Sequence, residues 1–409
     1  MNNKELLKSK HFCIQPFIHA CVWTDSRVVP CCINHDYVLG NTKTTPITEI
    51  YSNNNEKLVA LRKEMLDGPD LPESCSRCSI PESEYTNNSY RYNSNKNYGH
   101  LIENIQINND GTITDAKILT WDVRFSNLCN LKCRTCDSIN SSKIAEEERK
   151  YQGKTIQILK EAFDDTTEFF EFFESNIDSI EEIYFCGGEP LLLEDHYKML
   201  DILVAHEKFD TVLRYNTNCT KIFFKDKNVV DNYWVKFKHV RLGLSLDAGW
   251  EQLSYIRHGS NWDVVLENLK YIVSKCPHVY MHLSPTISIL NAFHISKLHK
   301  FLVEEKLTKL DNIYFNILTF PTFYSITSLP ADLKEQVKQH WEEYKLYVTA
   351  LGATDYVKEE IDKVIKYMYT QDQSHTLDDF RKETELKDNL RKESARDVFP
   401  ELWSLLNGS

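Results

Sequence analysis

Between Ser126 and Ser138 the chain reads SNLCNLKCRTCDS, placing Cys129, Cys133 and Cys136 at spacing C-x3-C-x2-C. Thiolates bind zinc and iron–sulfur clusters, and both a tetrahedral zinc and a [4Fe–4S] cube take four ligands. Three thiolates from one loop can hold three irons of a cube and leave the fourth open to an outside molecule. The other reading is a zinc loop whose fourth ligand lies elsewhere. Twelve cysteines in 409 residues would give this spacing by chance roughly 0.01 times. A second group lies in the first 80 residues: Cys13, Cys21, Cys31, Cys32, Cys75 and Cys78. Cys75 and Cys78 form a C-x2-C knuckle that can grip one metal atom. Cys13 and Cys31 complete a set of four, with Cys32 and Cys21 as rivals. An iron–sulfur cluster, zinc, or buried unligated cysteines would each account for them. Cys186, Cys219 and Cys276 stand singly.

Other residues could support such a centre. FCGGEPLL (185–192) sets two glycines, which allow close backbone approach, beside Glu189, whose carboxylate can accept from an ammonium. In YNTNCT (215–220), Asn216 and Asn218 can bond a ribose or make an Asx turn. Tyr90, Arg91 and Tyr92 line a substrate entrance or sit on a solvated loop. His282 and His294 read as packing or surface residues.

These residues need elements to position them. Short apolar runs at 118–125, 181–186, 211–216, 240–246, 279–287 and 312–318 read as strands. Helical candidates lie near 140–178, 194–206, 228–236, 262–275 and 292–305. Alternation of this kind predicts an α/β fold with parallel strands, and right-handed crossovers curl six of them into a partial barrel. Ligand sites then collect beyond the C-terminal strand ends, where CNLKCRTC and GGEP fall. Asp110-Gly111 marks a hairpin. TNNSYRYNSNKNYGH (86–100) reads as a linker or surface loop. The tail from 331 to 409 reads as charged helices, with Leu333, Val337 and Trp341 at packing spacing. The formal net charge is −12, which argues against a nucleic-acid footprint. The absence of a signal-like or membrane-spanning apolar run predicts a cytoplasmic protein without membrane attachment.

CNLKCRTC followed by GGEP resembles the radical S-adenosylmethionine (SAM) superfamily. The resemblance implies a [4Fe–4S] cluster on Cys129, Cys133 and Cys136 whose open iron binds SAM. Reductive cleavage then gives a 5′-deoxyadenosyl radical that abstracts hydrogen from a substrate. It also implies that Gly187, Gly188, Glu189 and Pro190 hold the SAM amino group. Thr135 stands at the adenine-side position, which is often large and apolar in the superfamily. LSLDAGWEQLSYIRHG (244–259) resembles the SPASM/twitch branch, implying SAM-carboxylate contacts from Ser245 and Arg257. A guanidinium suits a carboxylate, and Asp247 is either a ligand contact or a helix cap. Asn291 matches a position often near the cofactor.

The N-terminal FCIQP…PCC…CSRC block, followed by RFSNLCNLKC, resembles twitch-containing radical SAM proteins. It implies an auxiliary cluster in a module that precedes the barrel. The implied domains are 1–100 (twitch-like module), 101–320 (barrel) and 321–409 (helical region). The implied activity is oxidation or epimerisation of a small polar molecule such as a sugar, cyclitol or nucleotide derivative. A donor such as flavodoxin or ferredoxin would supply the electron, and Cys186 or Cys219 could supply a hydrogen. The alternatives are a maturase of a ribosomally made peptide and a non-enzymatic iron–sulfur carrier. The 12 residues before Cys13 are too few for a leader-binding domain there, which weighs against the peptide reading.

Overall fold

A computed structural model of the chain describes residues 3–84, 89–153, 155–402 and 404–405. Its strands include β1 (His19–Val22), β2 (Arg27–Val29), β3 (Gly40–Asn41), β4 (Thr120–Val123), β5 (Lys132–Cys133), β6 (Glu182–Phe185), β7 (Val212–Thr217), β8 (Val240–Leu244), β9 (Arg257–His258), β10 (Tyr280–Leu283), β11 (Thr286–Ile287) and β12 (Asn316–Ile317). Its helices include α1 (Glu56–Asp67), α2 (Ser76–Glu84), α3 (Tyr90–Tyr98), α4 (Ser142–Gln152), α5 (Thr167–Ser175), α6 (Glu194–Ala205), α7 (Trp250–Ile256), α8 (Trp262–Lys275), α9 (Ile295–Glu304), α10 (Ala331–Ala350), α11 (Asp355–Met368) and α12 (Leu377–Arg391). The α/β organisation follows the expectation from the strand–helix alternation. Among the described residues no helix is long and apolar enough to cross a membrane.

The chain divides into two compact units. One comprises Met1–Cys129, Gln152–Tyr215 and Lys236–Val240. Its strands lie in the order β7-β6-β4-β1-β2-β3. Neighbours from β7 to β1 are parallel, and β2 and β3 are antiparallel additions. Register places His19 beside Thr120, Cys21 beside Asp122, Asp122 beside Tyr184 and Tyr184 beside Arg214. Side chains alternate along a strand, so these residues share one face. The other face is apolar and lies against helices. Trp121 meets Phe173 and Phe169 of α5 with ring centroids 5.4 and 6.0 Å apart, and Phe185 stacks on Tyr215 at 4.9 Å.

The other unit comprises Asn130–Tyr151, Asn216–Val235 and Arg241–Ser409. Here β8 pairs in parallel with β10 and β11 with β12, while β5 and β9 form an antiparallel pair. Asn261 caps α8 by accepting from the Val264 amide. The tail is helical as expected. Leu333, Val337 and Trp341 are buried, and the Trp341 indole donates to the Ala292 carbonyl at 2.8 Å.

Several local expectations are corrected. The helical stretch predicted over 140–178 is α4 and α5 with irregular chain between them. The strand expected over 279–287 breaks into β10 and β11 at Ser284-Pro285, where proline lacks an amide hydrogen. The run 312–318 forms only the short β12, and 228–236 forms two short turns of helix. The polar stretch 86–100 is a helix from Tyr90, started by Ser89, whose hydroxyl accepts from the Tyr92 amide at 3.0 Å; Thr86–Asn88 lie outside the described residues. Arg91 is not on a solvated loop: it pairs with Glu82 at 2.7 Å and donates to the Phe12 carbonyl at 3.2 Å. The N-terminal stretch, which holds none of the expected strands, contributes β1 to the parallel sheet.

His196 of α6 shows what this packing does to a titratable group. It contacts the Phe185 ring at 4.6 Å, its Nε2 lies 3.0 Å from the Tyr215 hydroxyl, and burial lowers its pKa to about 3. The unfolded chain, with an ordinary histidine pKa near ~6.5, binds a proton in a window where the folded chain does not. The His196 contribution is therefore complete above pH ~6.5 and is lost on acidification towards its folded value. Between pH 7 and 5 this residue should lower unfolding stability by about 2 kcal/mol. Urea unfolding at the two pH values should show that much less pH dependence in His196→Gln.

Candidate functional site

Four thiols from distant stretches line one cavity in the first unit: Cys13, Cys31, Cys75 and Cys78. Cys13 precedes a short helical turn over Gln15–Ile18, Cys31 follows β2, and Cys75 and Cys78 bracket the start of α2. Burial pushes all four thiols up, Cys78 to about 12. Charge on Cys78 and Cys75 pushes Cys13 further, and Cys32 first, then Cys13 and Cys78, act likewise on Cys31. No three of these sulfurs lie within 4.8 Å of one another, so the cavity suits the wider spacing of an iron–sulfur cluster rather than one metal ion, and a bound cluster would share the thiolates' charge. Cys32 and Cys21 do not line it. Beyond burial, the main charges acting on Cys32 are Asp122 and Arg124, and Cys21 Sγ lies 3.5 Å from Asp122 Oδ2.

The Gly-Gly-Glu-Pro segment is docked against the residue preceding Cys129. The Glu189 amide donates to the Leu128 carbonyl at 2.8 Å. Gly187 and Gly188 have φ of +82° and +57°, which glycine adopts without strain. A Cβ on Gly188 would stand 2.4 Å from that same carbonyl oxygen. Glu189 is buried, with Oε1 accepting from the Leu191 amide at 3.3 Å, and Pro190 opens a 3-10 turn.

In the second unit, Cys133 on β5 pairs with Arg257 on β9. Arg257 Nη1 lies 3.8 Å from Cys133 Sγ, and its Nε lies 2.8 Å from Asp247 Oδ2. The other oxygen of Asp247 accepts from the Thr286 amide at 2.8 Å. Asp247 therefore holds Arg257 and does not cap a helix; Gly249 occupies the N-cap of α7. Asn218 makes an Asx turn with Thr220, and its amide nitrogen donates to Asn130 Oδ1 at 3.1 Å. Asn291 uses both ends of its amide within its own turn, accepting from the Ser288 amide and donating to the Thr286 carbonyl. The Ser245 amide donates to the Thr217 carbonyl, Asn216 lies on β7, and Thr135 and Cys136 are half-buried. Of the two single thiols, Cys219 sits at φ +59° with Sγ 3.6 Å from the Thr217 carbonyl oxygen, whereas Cys186 Sγ lies 3.2 Å from Asp122 Oδ1.

Sequence reasoning missed two groups. The first surrounds Arg134, between Cys133 and Cys136. Its buried guanidinium bonds Asp388 at 2.6 Å and Glu393 at 2.7 Å and stacks over the Tyr255 ring at 3.6 Å. Lys387 donates to the Arg134 carbonyl, and Arg391 pairs with Glu147 at 2.7 Å. Burial would raise the Glu147 carboxyl, but its hydrogen bond to Arg391 holds it below the usual range. The end of α12 thus grips the cysteine loop. An arginine inside the motif and an acidic tail were the only signals.

The second group is the polar face of the first unit's sheet. Arg124 bonds both oxygens of Asp122, at 3.2 and 3.1 Å. Arg214 lies 3.3 Å from Glu182, which also accepts from the Tyr98 hydroxyl at 2.6 Å. The signal was present as charged residues alternating with apolar ones in TWDVRF, EIYF and VLRYN.

A family model for the radical SAM superfamily matches residues 123–291, and one for the SPASM iron–sulfur cluster-binding domain matches residues 13–79. No curated protein matches the chain. Solved structures with similarity include native anSMEcpe with bound AdoMet (17% identity, 59% of this chain and 62% of that one, TM-score 0.39). Streptococcus suis SuiB bound to S-adenosylmethionine is another (18% identity, 66% and 52%, TM-score 0.37). The chain thus spans about three-fifths and one-half of the lengths of these two proteins.

Two substitutions test this geometry. Gly188→Ala should push the segment off the Leu128 carbonyl and weaken SAM binding at least about tenfold, for a displacement costing ~1.4 kcal/mol or more, with iron content retained; equilibrium dialysis and iron analysis check both. Arg134→Met leaves the half-buried Asp388 with only the Tyr255 hydroxyl and the Ala395 amide, and Glu393 with only His258. It should destabilise the second unit by about 1–3 kcal/mol in urea unfolding.

Proposed function

Because residues 123–291 belong to the radical SAM superfamily and residues 13–79 to the SPASM iron–sulfur cluster-binding domains, we propose that this enzyme acts by SAM-derived radical chemistry on a small polar substrate. The substrate is a sugar, cyclitol or nucleotide derivative, and the reaction is an oxidation or epimerisation. Cys129, Cys133 and Cys136 hold a cluster with an open iron, and Cys13, Cys31, Cys75 and Cys78 hold an auxiliary one. Held by Cys129, Cys133 and Cys136, such a cluster would supply the electron for reductive cleavage of SAM and so the oxidising power for hydrogen abstraction.

The chain's own residues bind and orient. Gly187 and Gly188 let the backbone come close to the SAM amino group, and Glu189 accepts from it. Arg257, aligned by Asp247, offers its guanidinium to the SAM carboxylate. The observation that carries the substrate reading is the buried polar strand face with Asp122, Arg124, Glu182 and Arg214. Its charges balance in pairs, which suits a polar, net-neutral ligand. All twelve cysteines are free thiols, which fits a reducing compartment such as the cytoplasm and a flavodoxin- or ferredoxin-type donor.

Anaerobic, reduced protein should convert SAM to methionine and 5′-deoxyadenosine. The Cys129/Cys133/Cys136→Ala triple variant should lose that turnover yet keep the iron of the four-cysteine cavity, as read by EPR and iron analysis. Deuterium transfer from labelled polyols or sugar nucleotides into 5′-deoxyadenosine identifies the substrate. Intact clusters without methionine formation would make the chain an electron carrier instead, and transfer only from a labelled peptide would make it a peptide maturase.

A further inference from the structure

His19, Cys21 and Asp122 bring three different metal-ligating atoms within 4.8 Å of one another on the polar face of β1 and β4, all three residues being buried. The pairing of His19 with Thr120 and Cys21 with Asp122 on adjacent rungs of parallel strands fixes their spacing. His19 Nδ1 lies 2.9 Å from Thr120 Oγ1, while its Nε2 is buried with no hydrogen-bond partner, although only 5% of the residue is exposed. An orphaned buried polar atom is destabilising unless something binds it. Metal-bound histidines are typically tethered in this way, one ring nitrogen oriented by a neighbour and the other left for the metal.

We propose that His19, Cys21 and Asp122 form a binding site for a divalent transition-metal cation of the zinc type, separate from both cysteine clusters. One nitrogen, one sulfur and one carboxylate oxygen are the donors that zinc accepts, with a fourth position left for an oxygen of the substrate or for water. Tetrahedral zinc sets its ligands about 3.3–3.8 Å apart, within reach of small side-chain rotations here. The other groups around the site suit a cation. Burial would raise the Asp122 carboxyl, but Arg124 holds it below the ordinary range. His19 is kept neutral by burial, with its pKa lowered to about 4. Arg124 remains on the carboxylate as an outer-shell partner, as ligating carboxylates commonly have. Binding breaks the Cys21 S–H bond, forms a zinc–sulfur bond and releases one proton to solvent. Aspartate and thiolate then set two negative charges against the two of the cation, and Arg124 leaves one positive charge over. The site stands one strand from Cys186, whose Sγ lies 3.2 Å from the other Asp122 oxygen, and Gly187 follows directly in the chain. A substrate hydroxyl or carbonyl on the open position would be held beside the Gly-Gly-Glu-Pro segment.

The full chain, loaded anaerobically with iron and sulfide, is dialysed against Zn2+. Zinc and iron are measured together, and the zinc K-edge EXAFS is recorded. The expected result is one zinc per chain without loss of iron, with one sulfur and the rest nitrogen or oxygen neighbours. His19→Ala and Cys21→Ala should abolish zinc uptake at unchanged iron. Thr120→Val, which leaves the ligands but frees the imidazole, should weaken it about 10–100-fold. No zinc uptake, uptake unaffected by His19→Ala, or zinc in a four-sulfur shell with matching loss of iron would each overturn the proposal. If His19→Ala fails to fold, unchanged affinity in Thr120→Val overturns it. None of these readouts depends on SAM cleavage, so the site and the radical chemistry stand or fall separately.

Discussion

Thiols gathered out of water cannot all carry charge unless a cation shares it, and the N-terminal part of this chain is built around that constraint. Cys13, Cys31, Cys75 and Cys78 come from three separate stretches, and polar contacts hold each stretch in place. Asn95 of α3 accepts from the Ile14 amide and donates to the Phe12 carbonyl, on either side of Cys13. Arg62 of α1 donates to the Pro16 carbonyl at 2.8 Å. Arg91 pairs with Glu82 of α2, the helix that carries Cys78. Strands β2 and β3 extend the sheet that β1 joins, so Cys31 follows directly from a paired strand. Side-chain contacts to the surrounding backbone and one ion pair thus fix the stretches that carry the four thiols, which would lower the entropy lost if a ligand bound them.

The three-cysteine loop is held by a different kind of force. Its arginine is buried among carboxylates contributed from 254 and 259 residues away. A pair of this kind gives little net stability over a well-packed apolar substitute, but it is costly to break by halves. It therefore acts as a register pin. The tail helix fits only where Asp388 and Glu393 meet Arg134, and the loop backbone is fixed as a consequence. The second pin, Arg391 to Glu147, fastens the same helix to α4. Asp247 plays a comparable part for Arg257, orienting a guanidinium beside Cys133.

The first unit's sheet separates two environments by strand alternation alone. Trp121, Phe185 and Tyr215 face helices and one another, whereas Asp122, Tyr184 and Arg214 face the opposite side. Burying charges there is tolerable because each has a partner, Arg124 for Asp122 and Glu182 for Arg214. Among the described residues of that face, the Nε2 of His19 and the Nε of Arg214 are buried without a hydrogen-bond partner, the latter still 3.3 Å from Glu182.

The sequence by itself determined what depends on spacing within a short segment. The C-x3-C-x2-C loop, the Gly-Gly-Glu-Pro turn, the parallel α/β alternation and helix α8 at 262–275 could all be read from local pattern, because thiolate reach, glycine conformation and helical period act over a few residues. Tertiary structure alone decided which thiols face one cavity, separating Cys31 from its neighbour Cys32. It also made a helix of the polar stretch after Ser89, turned Asp247 towards Arg257, and closed the amide of Asn291 within its own turn. The reason is physical: burial, desolvation and ion pairing depend on which of several available partners the fold brings alongside, from the neighbouring turn for Asn291 to 254 residues away for Arg134, and no local pattern carries that choice.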